Sequence, residues 1–479
     1  MISNSPLQTD LYQLTMAAAY WQSGKAEQES VFHLFFRKLP FKGGYAIAAG
    51  LELALEWLEA FRFSQAELDY LSGLKTKVGT PLFKEEFLKY LGDLRLKLDI
   101  DAMPEGSAVF GHEPLLRIQG PILHAQLVET ALLNIVNFQT LVATKAARVC
   151  SAAAGGPVVE FGYRRAQGPD GGLSASRAAW IGGCTGTSNV LAGQVYGIPV
   201  LGTHAHSWVM SFADEAEAFD RYAEAMPDNS TLLVDTYDTL RGVDQAIVTA
   251  RKLRERGHEL NGIRLDSGDL AWLSQQARAK LDAAGFPEVK VVASNDLDEH
   301  IIESLRHQGA RIDTWGVGTN LVTAADQPAL GGVYKLAALR QDDGSWQPRI
   351  KLSEQTAKSS IPGRLQVRRF EQDGLMVADA IYDVDRSLNE ATEIIDPGDP
   401  IRRKKIAAGT TFHDVLQPVM KEGARLAGPE PLDAARARCQ ETLAKLHPGI
   451  TRLANPHAYP AGLEQGLYEA RERLLAEYR

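Results

Sequence analysis

A series of short, almost wholly apolar runs constrains this 479-residue chain more than any other feature. The runs are residues 157–161, 199–203, 231–235, 262–266, 289–294, 314–317 and 333–339. Strands that read this way must be covered on both faces. Helical patterns over 214–225, 243–256 and 270–284 separate several of them. Repetition of strand then helix builds a parallel sheet or a barrel. Polar residues gather at the C-terminal end of run after run, the end at which α/β barrels carry their chemistry. The expected class is therefore α/β: an irregular α/β barrel over residues 123–345.

The first 122 residues follow a different grammar. Thr9 and Asp10 suit a helix start and Gly24 a helix end, so residues 10–22 read as a helix. Leu11, Leu14, Ala18 and Trp21 share one stripe. Tyr12 lies off it, either as a chance surface aromatic or as a contact for something else. A strand pattern over 30–39, helical patterns over 51–63 and 64–95, and short strands over 101–122 make an α+β N-terminal domain. Residues 346–479 return to β character at 349–351, 363–370 and 375–382, then to helices at 434–446 and 463–479. This segment is expected to complete the N-terminal layer. Arg402–Lys405 form a short basic cluster that reads first as a solvated face.

Bulk properties narrow the function. Net charge is −9 and the pI is near 5.7, which gives no sign of a nucleic-acid or membrane surface. No apolar run approaches membrane-spanning length, and the N-terminal residues lack a signal-peptide pattern. The three cysteines, Cys150, Cys184 and Cys439, are scattered, which fits a reducing cytoplasm rather than a disulfide framework.

The strand ends hold the chemistry. Phe161 and Gly162 are followed by Arg164 and Arg165, fork donors suited to phosphate or carboxylate. Asp235 closes the run at 231–235. Arg264, Asp266, Ser267 and Asp269 stand together after 262. Asp269 reads as a helix cap, whereas Asp266 sits at an apolar strand boundary and needs a partner or ligand. Gly316, Gly318 and Thr319 can turn backbone amides toward an anion. The glycines at 182–186 read as helix packing. His204 and His206 follow Gly202-Thr203 at another strand end. Metal-dependent hydrolase barrels also place two such histidines there, but their sites call for more histidines on later strand ends. Here those ends carry Asp235, Asp266 and Thr319. Two loop histidines with satisfied hydrogen bonds are the plain alternative.

Taken together, Thr9–Tyr12, Glu160–Ala166, Gly202–Ser207, Arg264–Leu270, Gly316–Asn320, Asn455-Pro456-His457 and Tyr459-Pro460 resemble the nicotinate phosphoribosyltransferase family over essentially the whole chain. The resemblance implies an enzyme that joins nicotinate to phosphoribosyl pyrophosphate, a ligase-type glycosyl transfer of NAD biosynthesis. ATP is the co-substrate, hydrolysed through a phosphohistidine, with Mg²⁺ as cofactor. It implies a homodimer with shared active sites.

By motif, His206 is the phosphorylated residue, and Asp266 and Asp235 complete the catalytic set. Tyr12, Phe161, Thr203 and Arg264 hold nicotinate. Arg164, Arg165, Gly318 and Thr319 hold phosphoribosyl pyrophosphate, and Asp235 and Asp266 are the expected Mg²⁺ carboxylates. The related nicotinamide phosphoribosyltransferases carry Asp where this chain has His204, so Thr203 and His204 are expected to select acid over amide. The shorter quinolinate phosphoribosyltransferases fit less well.

Overall fold

The computed structural model describes residues 4–352, 360–386, 388 and 391–477. It divides into two compact units, Met1–Leu141 with Ala329–Arg479, and Val142–Pro328.

In the second unit the described strands form one parallel sheet. Its order is Gly186–Thr187, Val158–Glu160, Thr314–Val317, Lys290–Ala293, Gly262–Leu265 and Thr231–Leu233. Val158, Val159, Leu232, Leu233, Ile263, Leu265, Val291 and Val317 are all buried, as the apolar runs require. Several helices start on aspartates: Asp214, Asp238, Asp269 and Asp298 each accept an amide hydrogen three residues on, from Glu217, Arg241, Trp272 and Ile301. Each satisfies one of the donors a helix N-terminus leaves open. Asp269 is thus the cap its position suggested. The glycine-rich stretch also packs as expected: a Cβ on Gly182 would lie 2.4 Å from the carbonyl oxygen of Ala143 in the helix Glu129–Ala152.

The sheet is a half-barrel. The run 199–203, expected as a strand, contributes one bridge, Val200 to Thr187. The outer N–H of Leu233 is met instead by the His204 ring, at 3.1 Å. A side chain therefore takes the hydrogen bond that a further strand would make. Gly186–Thr187, read from sequence only as part of a glycine-rich stretch, is a short edge strand.

In the first unit an antiparallel sheet runs Trp346–Pro348, Gly332–Arg340, Glu29–Phe36, Pro114–Pro121, Asp99–Ala102, Gln417–Lys421 and Ala424–Arg425. The run 333–339 belongs here, antiparallel to Glu29–Phe36, and is not a barrel strand. An apolar run records that both faces are covered, not which strand lies beside it. The strand near 349–351 falls slightly earlier, at Trp346–Pro348. C-terminal segments do complete the N-terminal sheet, but they are Gln417–Lys421 and Ala424–Arg425. The runs at 363–370 and 375–382 become Leu365–Gln372 and Leu375–Asp383, in a second sheet with Thr392–Ile395, Arg403–Ile406, Thr411–Asp414 and Ala461–Glu464.

The first helix is Leu11–Gln22, and its buried face differs from the expected stripe. Leu11 is exposed, while Gln13, Leu14 and Ala17 are buried. Gln13 can lie inside because its amide donates to Glu129 at 2.9 Å. The C-terminal helix begins only at Gln465, and residues 478–479 of its expected span lie outside the described residues.

Candidate active site

Phe161, Asp235, Asp266 and Gly318 follow the C-terminal ends of parallel strands, Arg264 lies within the strand Gly262–Leu265, and His206 opens the short helix His206–Met210. Arg264 is the hub. Its Nε donates to Ser294 Oγ at 2.8 Å, one Nη to Thr203 Oγ1 at 2.8 Å, and the other to Asp266 Oδ1 at 3.0 Å. Three fixed acceptors hold a planar guanidinium in one orientation. Its Cζ lies 5.9 Å from the Phe161 ring centroid, within cation–π range. The Phe161 ring occupies space that only a glycine leaves: a Cβ on Gly316 would sit 2.6 Å from it.

Ser294 also donates a short hydrogen bond to Asp266 Oδ1. Burial pushes the Asp266 carboxyl upward, but the Ser294 hydrogen bond and the Arg264 charge outweigh it, with help from His206. The group is held below the ordinary carboxylate range. The other Asp266 oxygen is 3.8 Å from His206 Nε2. His206 Nδ1 is 3.2 Å from Thr236 Oγ1. Thr203, Arg264, Asp266 and His206 therefore form one connected chain of polar groups.

Asp235 joins from the neighbouring strand end. Its Oδ2 accepts the Asp266 N–H at 2.9 Å and the Ser267 hydroxyl at 2.6 Å. Its Oδ1 is buried and has no hydrogen-bond partner among the described residues, an oxygen that a cation or ligand donor would satisfy. Nearby Glu215 is pushed up to about 7 by burial first and then by Asp235 and Asp238.

The two histidines part company. His204 is buried, its Nε2 accepts from Leu233, and burial pushes it down to about 4. It faces the interior, so it neither pairs with His206 as a metal ligand nor stands beside Thr203 to read a substrate. The acceptor nitrogen of His204 is committed to the backbone. No group of three or more His, Cys, Asp or Glu among the described residues is arranged to hold a metal ion.

Arg164 and Arg165 lie on a short 3-10 turn, Tyr163–Arg165, and both are exposed with no ion pair among the described residues. This turn borders the loop at Gly318, since a Cβ on Gly162 would lie 2.7 Å from the Gly318 carbonyl oxygen. Thr319 opens the next short helix, Thr319–Val322. Tyr12 belongs to the first unit, where it is 48% exposed.

Sequence reasoning assigned no role to Ser294, Thr236 or Glu160. Glu160 is fully buried, and accepts from Ser176 Oγ at 2.9 Å, Thr187 Oγ1 at 2.6 Å and the Gly162 N–H. It fixes the bend that carries Phe161. Ser294 ends a buried strand, as Asp266 does, and the same rule would have found it.

Comparison with known proteins identifies the family. Models of the nicotinate phosphoribosyltransferase (NAPRTase) N-terminal domain, family and C-terminal domain match residues 7–137, 157–361 and 364–471. The chain is 43% identical to a nicotinate phosphoribosyltransferase of Bacillus subtilis, over 99% of this chain and 96% of that one. It is 36% identical to the Homo sapiens nicotinate phosphoribosyltransferase, over 96% and 95%. The crystal structure of human nicotinic acid phosphoribosyltransferase superimposes with a TM-score of 0.84, at 32% identity, covering 97% of this chain and 99% of that one.

Proposed function

The chain belongs to the nicotinate phosphoribosyltransferase family, and from that premise we propose how its residues carry out the reaction. The activity is the joining of nicotinate to phosphoribosyl pyrophosphate, an enzymatic step of NAD biosynthesis. The nicotinate nitrogen attacks the ribose C1, the C1–O bond breaks, and pyrophosphate leaves with its electron pair.

The observation that carries the assignment of roles is the Thr203–Arg264–Asp266–His206 chain. Arg264 and the Thr203 hydroxyl are donors for the nicotinate carboxylate, and the Phe161 ring is a stacking face for the pyridine. With His204 turned inward, selection of acid over amide falls to Thr203 and Arg264. Asp266 and Asp235 bear negative charge toward the cationic sugar that develops as the C1–O bond breaks. Arg164 and Arg165, exposed and without an ion pair among the described residues, are placed to clamp phosphates, with the Gly318–Thr319 backbone beside them.

His206 is the phosphate carrier in this reading. With Nδ1–H donated to Thr236 Oγ1, Nε2 keeps its lone pair and its side chain remains 40% exposed. Nε2 attacks the γ-phosphorus of ATP, and ADP leaves with the bridging oxygen. Water later takes the phosphoryl group from Nε2 and inorganic phosphate is released. Asp266 balances the positive charge on the ring. Mg²⁺ fits this donor set: the open Asp235 oxygen, with Asp266 nearby, suits an ion that takes one or two carboxylates and completes its shell with substrate phosphates. When bound, it would neutralise diphosphate charge.

The half-barrel together with the loop 199–203 is taken as an irregular α/β barrel, supported by the Thr187–Val200 bridge and the His204 contact to the Leu233 edge. A homodimer with shared sites is supported by exposed apolar residues. Leu11, Tyr12 and Met16 lie open on the first helix, and Val190, Leu191, Val195, Val200 and Leu201 in the second unit. Tyr12 is then a residue for the partner's nicotinate site. No helix among the described residues is long and apolar enough to cross a membrane, which is consistent with work in the cytoplasm.

The test is a nicotinate-plus-phosphoribosyl-pyrophosphate assay with and without ATP. Nicotinate mononucleotide formation that requires both substrates and rises with ATP is the expected result. Equal use of nicotinamide would overturn the specificity assignment, and ATP independence the phosphohistidine.

A further inference from the structure

Two features of the sequence have no place in the reaction: the basic cluster at 402–405, and the Asn455–His457 and Tyr459-Pro460 motif. The first unit brings them together around a cavity of about 790 Å³, a size that suits a small-molecule ligand. Arg402, Arg403, Lys404 and Arg452 line it, against the single carboxylate of Asp396. Such a concentration of positive charge is out of character for a chain of net charge −9.

The cations are not equally available. Arg402 pairs with Asp399 at 3.2 Å and Arg403 with Glu393 at 2.9 Å. Asp396 Oδ1 accepts the Gly398 N–H at 2.8 Å, which offsets part of its charge. Lys404 has no ion pair among the described residues. Among the described residues Arg452 gives only its Nε, to the Asn455 carbonyl at 2.7 Å. That bond anchors the guanidinium and leaves its terminal nitrogens as an open fork, the geometry that grips phosphate. The exposed His457 stands on the same rim.

Edge protection explains part of this arrangement. Arg403–Ile406 is an edge strand, and lysines on an edge discourage pairing with another chain. That account covers Lys404 but not Arg452 and His457, which arrive from a separate segment. Nor does it cover Ile401, which lines the same cavity while 91% exposed. An isoleucine left bare beside a cationic fork suits a ligand with a flat apolar ring at one end and phosphate at the other.

We propose that this cavity binds a nucleotide-sized phosphorylated molecule, with Lys404 and Arg452 on the phosphates and Ile401 with Pro456 against the ring. The site is made from the first unit alone and shares no residue with the reaction chemistry.

The probe is 8-azido-ATP, photolysed on the full-length chain, with the labelled peptides mapped. Labelling of peptides spanning 394–404 and 452–461 is expected. It should fall at least tenfold in a Lys404→Gln/Arg452→Gln double variant and persist in His206→Ala. Both altered side chains are exposed, and an unchanged melting temperature in the double variant verifies its fold. Labelling that is absent from these peptides, undiminished in the double variant, or lost in His206→Ala overturns the proposal. Inorganic pyrophosphate supplies a second arm. Displacement of the label by pyrophosphate as effectively as by ATP shows recognition of a diphosphate alone and overturns the nucleotide assignment; markedly weaker displacement supports it.

Discussion

The backbone N–H of Leu233 donates to Nε2 of His204 at 3.1 Å, across an edge of the parallel sheet that no strand among the described residues covers. Nε2 must be unprotonated to accept, so His204 is held as the neutral ring with its proton on Nδ1. The first unit repeats the device. His33 Nε2 accepts from Leu365 N–H at 3.2 Å, and His124 Nδ1 from Lys97 N–H at 3.1 Å.

These rings make stability depend on acid. Burial pushes His204 and His124 down to about 4 and His33 to about 3. In the unfolded chain they titrate near 6.5, so between that value and 4 the unfolded state binds more protons. Their stabilisation is complete above pH 6.5 and is lost as the pH falls toward 4. Each can contribute a slope of up to about 1.4 kcal/mol per pH unit. The urea midpoint should drop steadily from pH 7 to pH 5, and His204→Gln should flatten that dependence. A midpoint constant over this range would refute the account.

His206→Ala should abolish covalent labelling by γ-³²P-ATP while leaving the fold intact, because its side chain is partly exposed and makes a single side-chain hydrogen bond. Nicotinate mononucleotide formation should persist weakly and lose its response to ATP. Acid-labile label on the His206→Ala protein would place the phosphate elsewhere.

Gly316→Ala should weaken nicotinate binding. The new methyl would stand 2.6 Å from the Phe161 ring, which must swing away from Arg264. Loss of stacking and cation–π contact, on the order of 1–2 kcal/mol, corresponds to a rise of roughly ten-fold in KM for nicotinate. The change in kcat should be smaller. Steady-state kinetics separate the two.

Glu160→Gln should destabilise the second unit. The carboxylate accepts from two hydroxyls and an amide in a fully buried setting. A carboxamide offers one acceptor oxygen and turns its NH₂ toward donors, at a cost of about 1–3 kcal/mol. The denaturation midpoint should fall accordingly, and Glu160→Asp should recover little because the shorter arm misses its partners.

Tyr12→Ala and His206→Ala chains should each be nearly inactive alone and recover part of the activity when mixed dimers form, if Tyr12 serves the partner's site. Confirmed mixed dimers without recovery would remove Tyr12 from that role.

Much of the architecture was legible without coordinates. Apolar runs marked most of the parallel strands, and Asp269 announced the helix it caps. Both signals are local: burial on two faces shows in composition, and a cap needs only the next turn of chain. The polar residues at strand ends marked the candidate groups for the same reason. What composition could not carry was partnership. The run at 333–339 has the apolar reading of a barrel strand, yet it pairs with Glu29–Phe36. Leu11 and Gln13 exchange their expected environments because Glu129, far along the chain, meets the Gln13 amide. The two histidines that follow Gly202-Thr203 are indistinguishable by type and nearly by position. Their division into a buried acceptor and a partly exposed nucleophile rests on Leu233, 29 residues away, and on Thr236, 30 residues away. Arg264 is set by Thr203 at a separation of 61 residues. Sequence thus determined most of the buried parallel strands, the helices between them and where polar groups emerge. Only the tertiary structure decided which groups face one another, because hydrogen-bond partners and ring orientations are properties of contacts that the linear order of residues does not contain.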